Sequence, residues 1–271
     1  MNKKQWRQGA IGLVVPAIAI AVWQAACVWG KIDPQMLPSP LAVAQKWLAY
    51  LLPLQAHTEG SWLAWALSGE MILDSLTSMY RVVLGFLIGA GLALPLGLAM
   101  GASERVYNWF NLSMQLLRPI PPIAYIPLAM LWFGLGNPPA LFLISLGAFF
   151  PVLINTIAGV RQVDGIYLRA ARNLGAGGMT MFRRVILPAA VPYILSGVRI
   201  GIGTAFIVVI VAEMLAVNNG LGFRMLEAKE YFWTDKIMAG MITIGMLGLA
   251  IDTGVSRLNN YLLRWHRGLE H

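Results

Sequence analysis

Charge is what this sequence has least of. Only 12% of its 271 residues are Asp, Glu, Lys or Arg, against 58% hydrophobic residues, and the mean hydropathy is +0.67. So little polar surface excludes a soluble globule and points to an integral membrane protein. Cysteine is almost missing as well. Cys27 stands alone inside the first apolar run, so neither an intrachain disulfide nor a thiolate metal site is available, and packing is its expected role. His57, His266 and His271 are scattered through polar segments, and no Cys/His cluster or paired-histidine helix points to a metal. A glycine-rich phosphate loop ending in Lys-Ser or Lys-Thr is also absent, so nothing here reads as catalytic.

The charge that is present is basic, with a formal net of +8. It gathers at the two ends and in one internal island, where anionic headgroups and topology account for it, so nucleic acid is not an expected partner. The first apolar run, Ala10 to Trp29, is about twenty residues, which fits a membrane span better than the ~7–15-residue core of a signal peptide. It is read as a retained helix with a cytoplasmic N-terminus. Five further spans are expected at Tyr80–Met100, Tyr107–Phe133, Pro139–Val160, Val191–Val217 and Ile237–Leu258.

Six helices put both ends on one side. The segments on that side hold Lys3, Lys4, Arg7, Arg105, Arg161, Arg169, Arg172, Arg183, Arg184, Arg257, Arg264 and Arg267, and the other side holds Lys31, Lys46, Arg224, Lys229 and Lys236. Twelve basic residues against five assign the richer side to the cytoplasm. Acids fall outside in a compatible way: Asp33, Glu59, Glu70, Asp74, Glu227, Glu230 and Asp235. The domain reading is therefore one transmembrane domain over residues 1–271: a first helix at 10–29, an outer segment at 30–79, a five-helix core at 80–262 and a cytoplasmic loop at 161–188. Within the outer segment, Leu41–Leu52 reads as a helix lying in the interface, with Trp47, Trp62 and Trp65 at headgroup level.

Three spans carry features beyond hydropathy. In the third, Arg118, Pro119, Pro121, Pro122 and Pro127 fall in the run RPIPPIAYIP, and four prolines preclude a smooth helix. A broken backbone at membrane depth is tolerated where it faces protein or lines a water-filled cavity, so Arg118, Pro121, Pro122 and Tyr125 are candidates for a translocation path; a kink that merely fits neighbouring helices is the alternative. Arg118 would attract an anion, or else snorkel to lipid phosphate. In the second span Gly85 and Gly89, and in the fifth Gly197, Gly201 and Gly203, predict close helix contact, with these two spans packed together. Glu213, late in the fifth span, is a further path candidate and is expected to pair with a cation such as Arg81 or to cap polar groups.

The island Arg161–Pro188, RQVDGIYLRAARNLGAGGMTMFRRVILP, holds five arginines against one acid, Asp164. Tyr167 to Asn173 can form a short helix, Ala170 and Ala171 leave room for another protein, and Gly175 can end the helix with a positive φ. A second short segment then returns through Met181 to Val185.

This island resembles the cytoplasmic coupling motif of ABC importer permeases: Glu-Ala-Ala, three residues, Gly, then Ile-x-Leu-Pro. Ala170, Ala171, Gly175, Leu187 and Pro188 match in place, Val185 stands at the Ile position, and Arg169 replaces the Glu. LPSP at 37–40, LRPIPPIAYIPLAMLWFGLG from 117, SGVRIGIG from 196 and VAEM from 211 narrow the resemblance to the nitrate/sulfonate/taurine/bicarbonate branch. Arg169 and the closing RWHRG are nearest to taurine and alkanesulfonate permeases.

The resemblance implies an all-α membrane protein of the MetI-like, type I importer fold with six transmembrane helices. It implies a multi-pass subunit of a bacterial inner membrane, working as a homodimer with two ABC ATPase subunits and an external solute-binding protein. ATP and Mg would be bound by the ATPase, with no cofactor in this chain. Tyr167, Arg169, Ala170, Ala171, Arg172, Gly175, Leu187 and Pro188 would couple to that ATPase, and the segment GLGFRMLEAKEYF would support the binding protein. The implied cargo is a small anion. An interfacial loop held by lipid phosphates, an ion-coupled secondary transporter and a non-transporting membrane subunit are the competing readings.

Overall fold

The structure is a computed structural model that describes residues 3–30, 32–53 and 61–264. Lys31, Glu59 and Arg267 of the charge distribution, the three histidines, and all but Arg264 of the closing RWHRG lie outside the described residues. Among the described residues every regular element is helical, with no strand.

In chain order the helices are α1 (Lys3–Trp29), α2 (Pro40–Leu51), α3 (Trp62–Ala66), α4 (Glu70–Ala102), α5 (Glu104–Leu117), α6 (Ile126–Phe133), α7 (Asn137–Arg161), α8 (Gly165–Asn173), α9 (Gly178–Met181), α10 (Leu187–Ala216), α11 (Leu221–Glu230) and α12 (Thr234–Leu262). A 3₁₀ turn, Pro122–Tyr125, precedes α6, and a π turn, Phe182–Ile186, joins α9 to α10. Four rods are long and apolar enough to cross a bilayer: α4, α7, Gly178–Ala216 and α12. The segments α5 and Pro122–Phe133 make a fifth if taken together, bent by 84° at the proline break. The first run is helical, Lys3–Trp29, and its fully described part, Val14–Trp29, is apolar. Among the described residues, length and composition thus mark four spans, or five with the bent pair counted as one, of the six expected.

The chain forms two compact units, one of residues up to Ser75 with Arg224–Gly245, the other of Leu76–Phe223 with residues from Met246 on. In the first unit, Ser39 caps α2 by accepting from the Ala42 amide at 3.2 Å, and Trp47 Nε1 donates to Thr243 Oγ1 at 2.9 Å. Arg224 gathers three carboxylates, Asp74 at 2.8 Å, Glu227 at 3.0 Å and Glu70 at 3.1 Å, and Lys236 reaches Glu70 at 3.3 Å. Partial burial works against the charge on Arg224, but the hydrogen bonds to Asp74 and Glu227 outweigh it and hold the guanidinium above its ordinary pKa.

The second unit is built around α7. Ala140, Leu143, Ile144, Ala148, Val152, Leu153, Thr156 and Val160 of this helix are all buried, as befits a helix apolar on every side. Close approach to α7 is what the glycines provide. A methyl at Gly89 of α4 would stand 2.2 Å from the Ser145 carbonyl oxygen, and one at Gly197 of α10 would stand 2.6 Å from Asn155 Cβ. The glycines of the second and fifth spans therefore mainly meet α7 rather than each other, although Gly201 also stands 3.4 Å from the Phe86 ring of α4. Both face α7, because its own small residues at 147, 148 and 159 let two neighbours in, and Gly203 faces open space. A smaller cluster of Ala90, Ala93, Met100, Val152 and Leu153 closes the α4 side.

Candidate functional site

The polar island folds as an exposed elbow. Asp164 Oδ1 accepts from the Ile166 amide at 2.8 Å and starts α8. The helix ends in a double bond typical of a left-handed cap: Gly175 N–H donates to the Arg172 carbonyl and Ala176 N–H to the Ala171 carbonyl, each at 2.9 Å. Gly175 takes φ +81°, which a side chain with a Cβ adopts only at a cost. The returning segment is not a separate piece. It is the beginning of the long rod Gly178–Ala216, entered through α9 and the π turn, with Met181 buried and Leu187 and Pro188 half-buried.

Tyr167, Arg169, Ala170, Arg172 and Gly175 are exposed and Ala171 is half-buried. Ile166, Leu174 and Met179 also present apolar side chains to the outside, Leu174 at 89% exposure. The Arg169 guanidinium folds back over Gly165 one turn earlier. Among the described residues, Arg169, Arg172, Arg183 and Arg184 have no acidic partner, and Arg161 alone of the island arginines is paired, with Glu104 at 2.9 Å. An apolar surface edged by uncompensated guanidinium groups is equipped to seat a protein with an acidic rim.

The proline break builds a second feature. Arg118 closes α5, its amide donating to the Met114 carbonyl at 3.0 Å, and Pro121 is extended before the 3₁₀ turn begins. Two clefts adjoin here, sharing Arg118, Phe150 and Ile154 in their walls. The one of about 510 Å³ runs along α5 and α7, with Tyr107, Asn111 and Gln115 among its lining residues. The other, of about 370 Å³, includes Pro121, Pro122, Asn155 and Thr204. Tyr125 is half-buried at the end of the turn and lines neither. At the end of the larger cleft the Arg161 guanidinium stacks on the Tyr107 ring at 3.7 Å, which ties the first arginine of the elbow to the cleft wall.

Glu213 sits elsewhere, fully buried and fully satisfied. Arg81 Nη1 donates to Oε1 at 2.6 Å, Ser78 Oγ and Gly222 N–H donate to Oε2 at 2.8 and 3.0 Å, and the Ser78 hydroxyl accepts from the Leu221 amide at 3.0 Å. Arg81 in turn donates to Asn137 Oδ1, the Asn219 carbonyl and Asn219 Oδ1. A Cβ at Gly220, φ +101°, would fall 2.4 Å from the carboxylate, so only glycine leaves room for it. The carboxylate thus pins the turn between α10 and α11 and, among the described clefts, lines none.

Two groups escaped the sequence reading. Arg199 and Asp252 form a two-pronged pair between α10 and α12, at 2.9 and 3.0 Å, with both side chains about half exposed. Asn111 and Gln115 lie seven and three residues ahead of Arg118, on the same helical face, a spacing that was available in the sequence. Among the described residues no cluster of metal-ligating side chains is found.

Comparison with known proteins places the chain in one family. The family model described as binding-protein-dependent transport system inner membrane component matches residues 85–268. The putative aliphatic sulfonates transport permease of Bacillus subtilis is 37% identical over 259 residues, covering 96% of this chain and 88% of the relative. The taurine transport system permease of Escherichia coli is 34% identical, covering 96% and 91%, and the nitrate import permease of Synechocystis is 34% identical, covering 93% and 90%. Among solved structures, an inward-facing form of the MetNI methionine ABC transporter superposes with a TM-score of 0.62 at 17% identity, over 74% of this chain and 99% of that one. The chain belongs to the binding-protein-dependent transport system inner membrane component family and is a multi-pass ABC transporter permease of its sulfonate, taurine and nitrate branch.

Proposed function

We propose that this permease is the translocating subunit of an ATP-driven importer for a small anion, with taurine or another alkanesulfonate the first candidate and nitrate or bicarbonate next. It works in a bacterial inner membrane as a homodimer, with both termini in the cytoplasm, two ABC ATPase subunits that bind ATP and Mg, and an external solute-binding protein. The chain itself hydrolyses no ATP. The five-helix core at 80–262 forms the path, and the loop at 161–188 transmits ATPase closure.

The observation that carries this reading is the elbow, whose exposed apolar residues and unpaired arginines need a protein partner on the cytoplasmic side. Tyr167, Arg169, Ala170, Ala171, Arg172 and Gly175 make the contact, and Leu187 and Pro188 relay it into α10. The anionic cargo is supported by the names of the relatives and by Arg118 in the cleft walls. The Arg199–Asp252 pair supports the second copy, because a half-exposed ion pair in apolar spans is stable only against protein or water. Glu213 serves this path from outside it, by fixing the turn after α10.

The test is reconstitution of the permease with its ATPase and binding protein in liposomes, followed by uptake of taurine, longer alkanesulfonates, nitrate and bicarbonate in parallel. Uptake of one of these is expected to require ATP and to be unchanged when proton and sodium gradients are collapsed. Gradient-driven uptake without ATP would overturn the reading.

A further inference from the structure

We infer that Asn111, Gln115 and Arg118 form an oxyanion-binding station within the permease, a site that takes the sulfonate-like or nitrate-like head of the cargo between its release by the binding protein and its exit. This deepens the proposed function and rests on it for the identity of the cargo, while the chemistry of the station rests on the cleft itself.

The residues fall at positions i, i+4 and i+7 of α5, and Arg118, although it caps the helix, keeps helical dihedrals of φ −55° and ψ −43°. Helical spacing therefore stacks two amides and a guanidinium on one face. All three line the same 510 Å³ cleft. Arg118 also lines the adjoining 370 Å³ cleft, where Asn155 donates one amide hydrogen to the Pro151 carbonyl at 2.8 Å. No acid lines either cleft, and among the described residues Arg118 has no ion-pair or hydrogen-bond partner for its guanidinium.

Other buried or spanning arginines contrast with it: Arg81 is locked to Glu213 and Arg199 to Asp252. An unpaired guanidinium beside a proline-broken backbone offers a planar donor fork of the geometry that oxyanions accept. Asn and Gln add neutral donors, which hold an anion without the strong trapping that a second charge would bring, and a path site must let its ion leave. The rest of the wall is largely apolar, Met114, Phe150, Leu153 and Ile157 among it, so the polar groups on α5 are the main donors an anion in the cleft can reach.

Two measurements test this. In the first, the permease–ATPase complex is held in nanodiscs without the binding protein, and equilibrium binding of radiolabelled taurine and nitrate is measured for the natural protein, Arg118→Gln, Arg118→Lys and the pair Asn111→Leu/Gln115→Leu. Saturable binding is expected at millimolar concentration, weakened at least tenfold in Arg118→Gln, under threefold in Arg118→Lys, and three- to tenfold in the amide pair. Binding of neither anion, or binding unchanged in Arg118→Gln, overturns the station.

In the second, Arg118→Cys is made in a Cys27→Ala background and treated with thiol reagents carrying a trimethylammonium, a sulfonate or a neutral group. Uptake is expected to recover only with the cationic reagent; equal recovery with the neutral one overturns a charge role. Absence of uptake of any tested anion by the natural complex would instead strike the proposed function, leaving the binding measurement to decide the station.

Discussion

Glu213 and Arg81 show how one residue's chemistry sets a local fold. Both side chains are removed from water, at 0% and 1% exposure, so each charge depends on the other and on the amides and hydroxyl around it. Removing one partner of such a pair costs about 3–5 kcal/mol, since the other charge is left buried and bare. Glu213→Leu and Arg81→Met are each expected to lose about that much in denaturant unfolding of the detergent-solubilised protein, and the double variant to lose clearly less than the sum. Strict additivity would mean the two charges do not support each other. The pairing was legible in the sequence, because a lone acid late in an apolar span needs a cation. The partnership of Arg199 with Asp252 was not, since nothing in the sequence says which basic residue reaches this acid in its apolar span.

A glycine prediction belongs to the same scale. At Gly89 a side chain meets the Ser145 backbone, which cannot step aside, whereas at Gly91, two residues on, there is nothing within 4 Å. Gly89→Leu is expected to destabilise by about 1–3 kcal/mol, as overpacking does, and Gly91→Leu to change stability little. Thermal unfolding of the two variants side by side checks this, and equal effects would put α4 in a different register against α7.

At the scale of the element, the elbow depends on one cap and one charge pattern. Gly175 at φ +81° ends α8, and any residue with a Cβ pays about 1–2 kcal/mol in that conformation. Gly175→Val is expected to leave the spans intact, by helical circular dichroism, while reducing the ATPase subunit recovered with the permease. Arg169→Glu tests the charge. Since Arg169 is exposed and has no acid beside it among the described residues, its reversal should weaken assembly with an ATPase suited to a basic elbow. Unchanged co-purification and transport would show that Arg169 faces away from the partner.

The elements themselves were largely readable. Apolar runs located α4, α7, α10 and α12, and Gly175 marked the end of α8, whose start falls two residues before the expected Tyr167, where Asp164 caps it. The start of α4 was missed by ten residues because Glu70 and Asp74 look like loop residues until Arg224, 150 positions after Asp74, neutralises them. The prolines announced a break after α5, but not its 84° angle, which no local pattern encodes.

For the molecule as a whole, orientation is the property on which every functional assignment turns. If the arginine-rich elbow lies in the cytoplasm, ATPase coupling is possible there, and α11, with Arg224, Glu227 and Glu230, would lie on the binding-protein side. The argument is the charge imbalance of twelve basic residues against five across the expected loops, and the cost of moving arginines across the bilayer keeps it fixed once made. The single native cysteine makes the arrangement directly measurable. With Cys27 replaced by Ala, Lys229→Cys on α11 and Arg172→Cys on α8 each carry one exposed thiol at a surface position. In intact cells stripped of their outer barrier, a membrane-impermeant maleimide is expected to label Lys229→Cys readily and Arg172→Cys only after the membrane is opened. The reverse pattern would place the elbow outside, where no ATP-driven partner could reach it, and the importer mechanism would fall with the orientation. Labelling of both thiols from outside would put α8 and α11 on one face, which requires a different number of crossings between them than the single rod Gly178–Ala216 supplies.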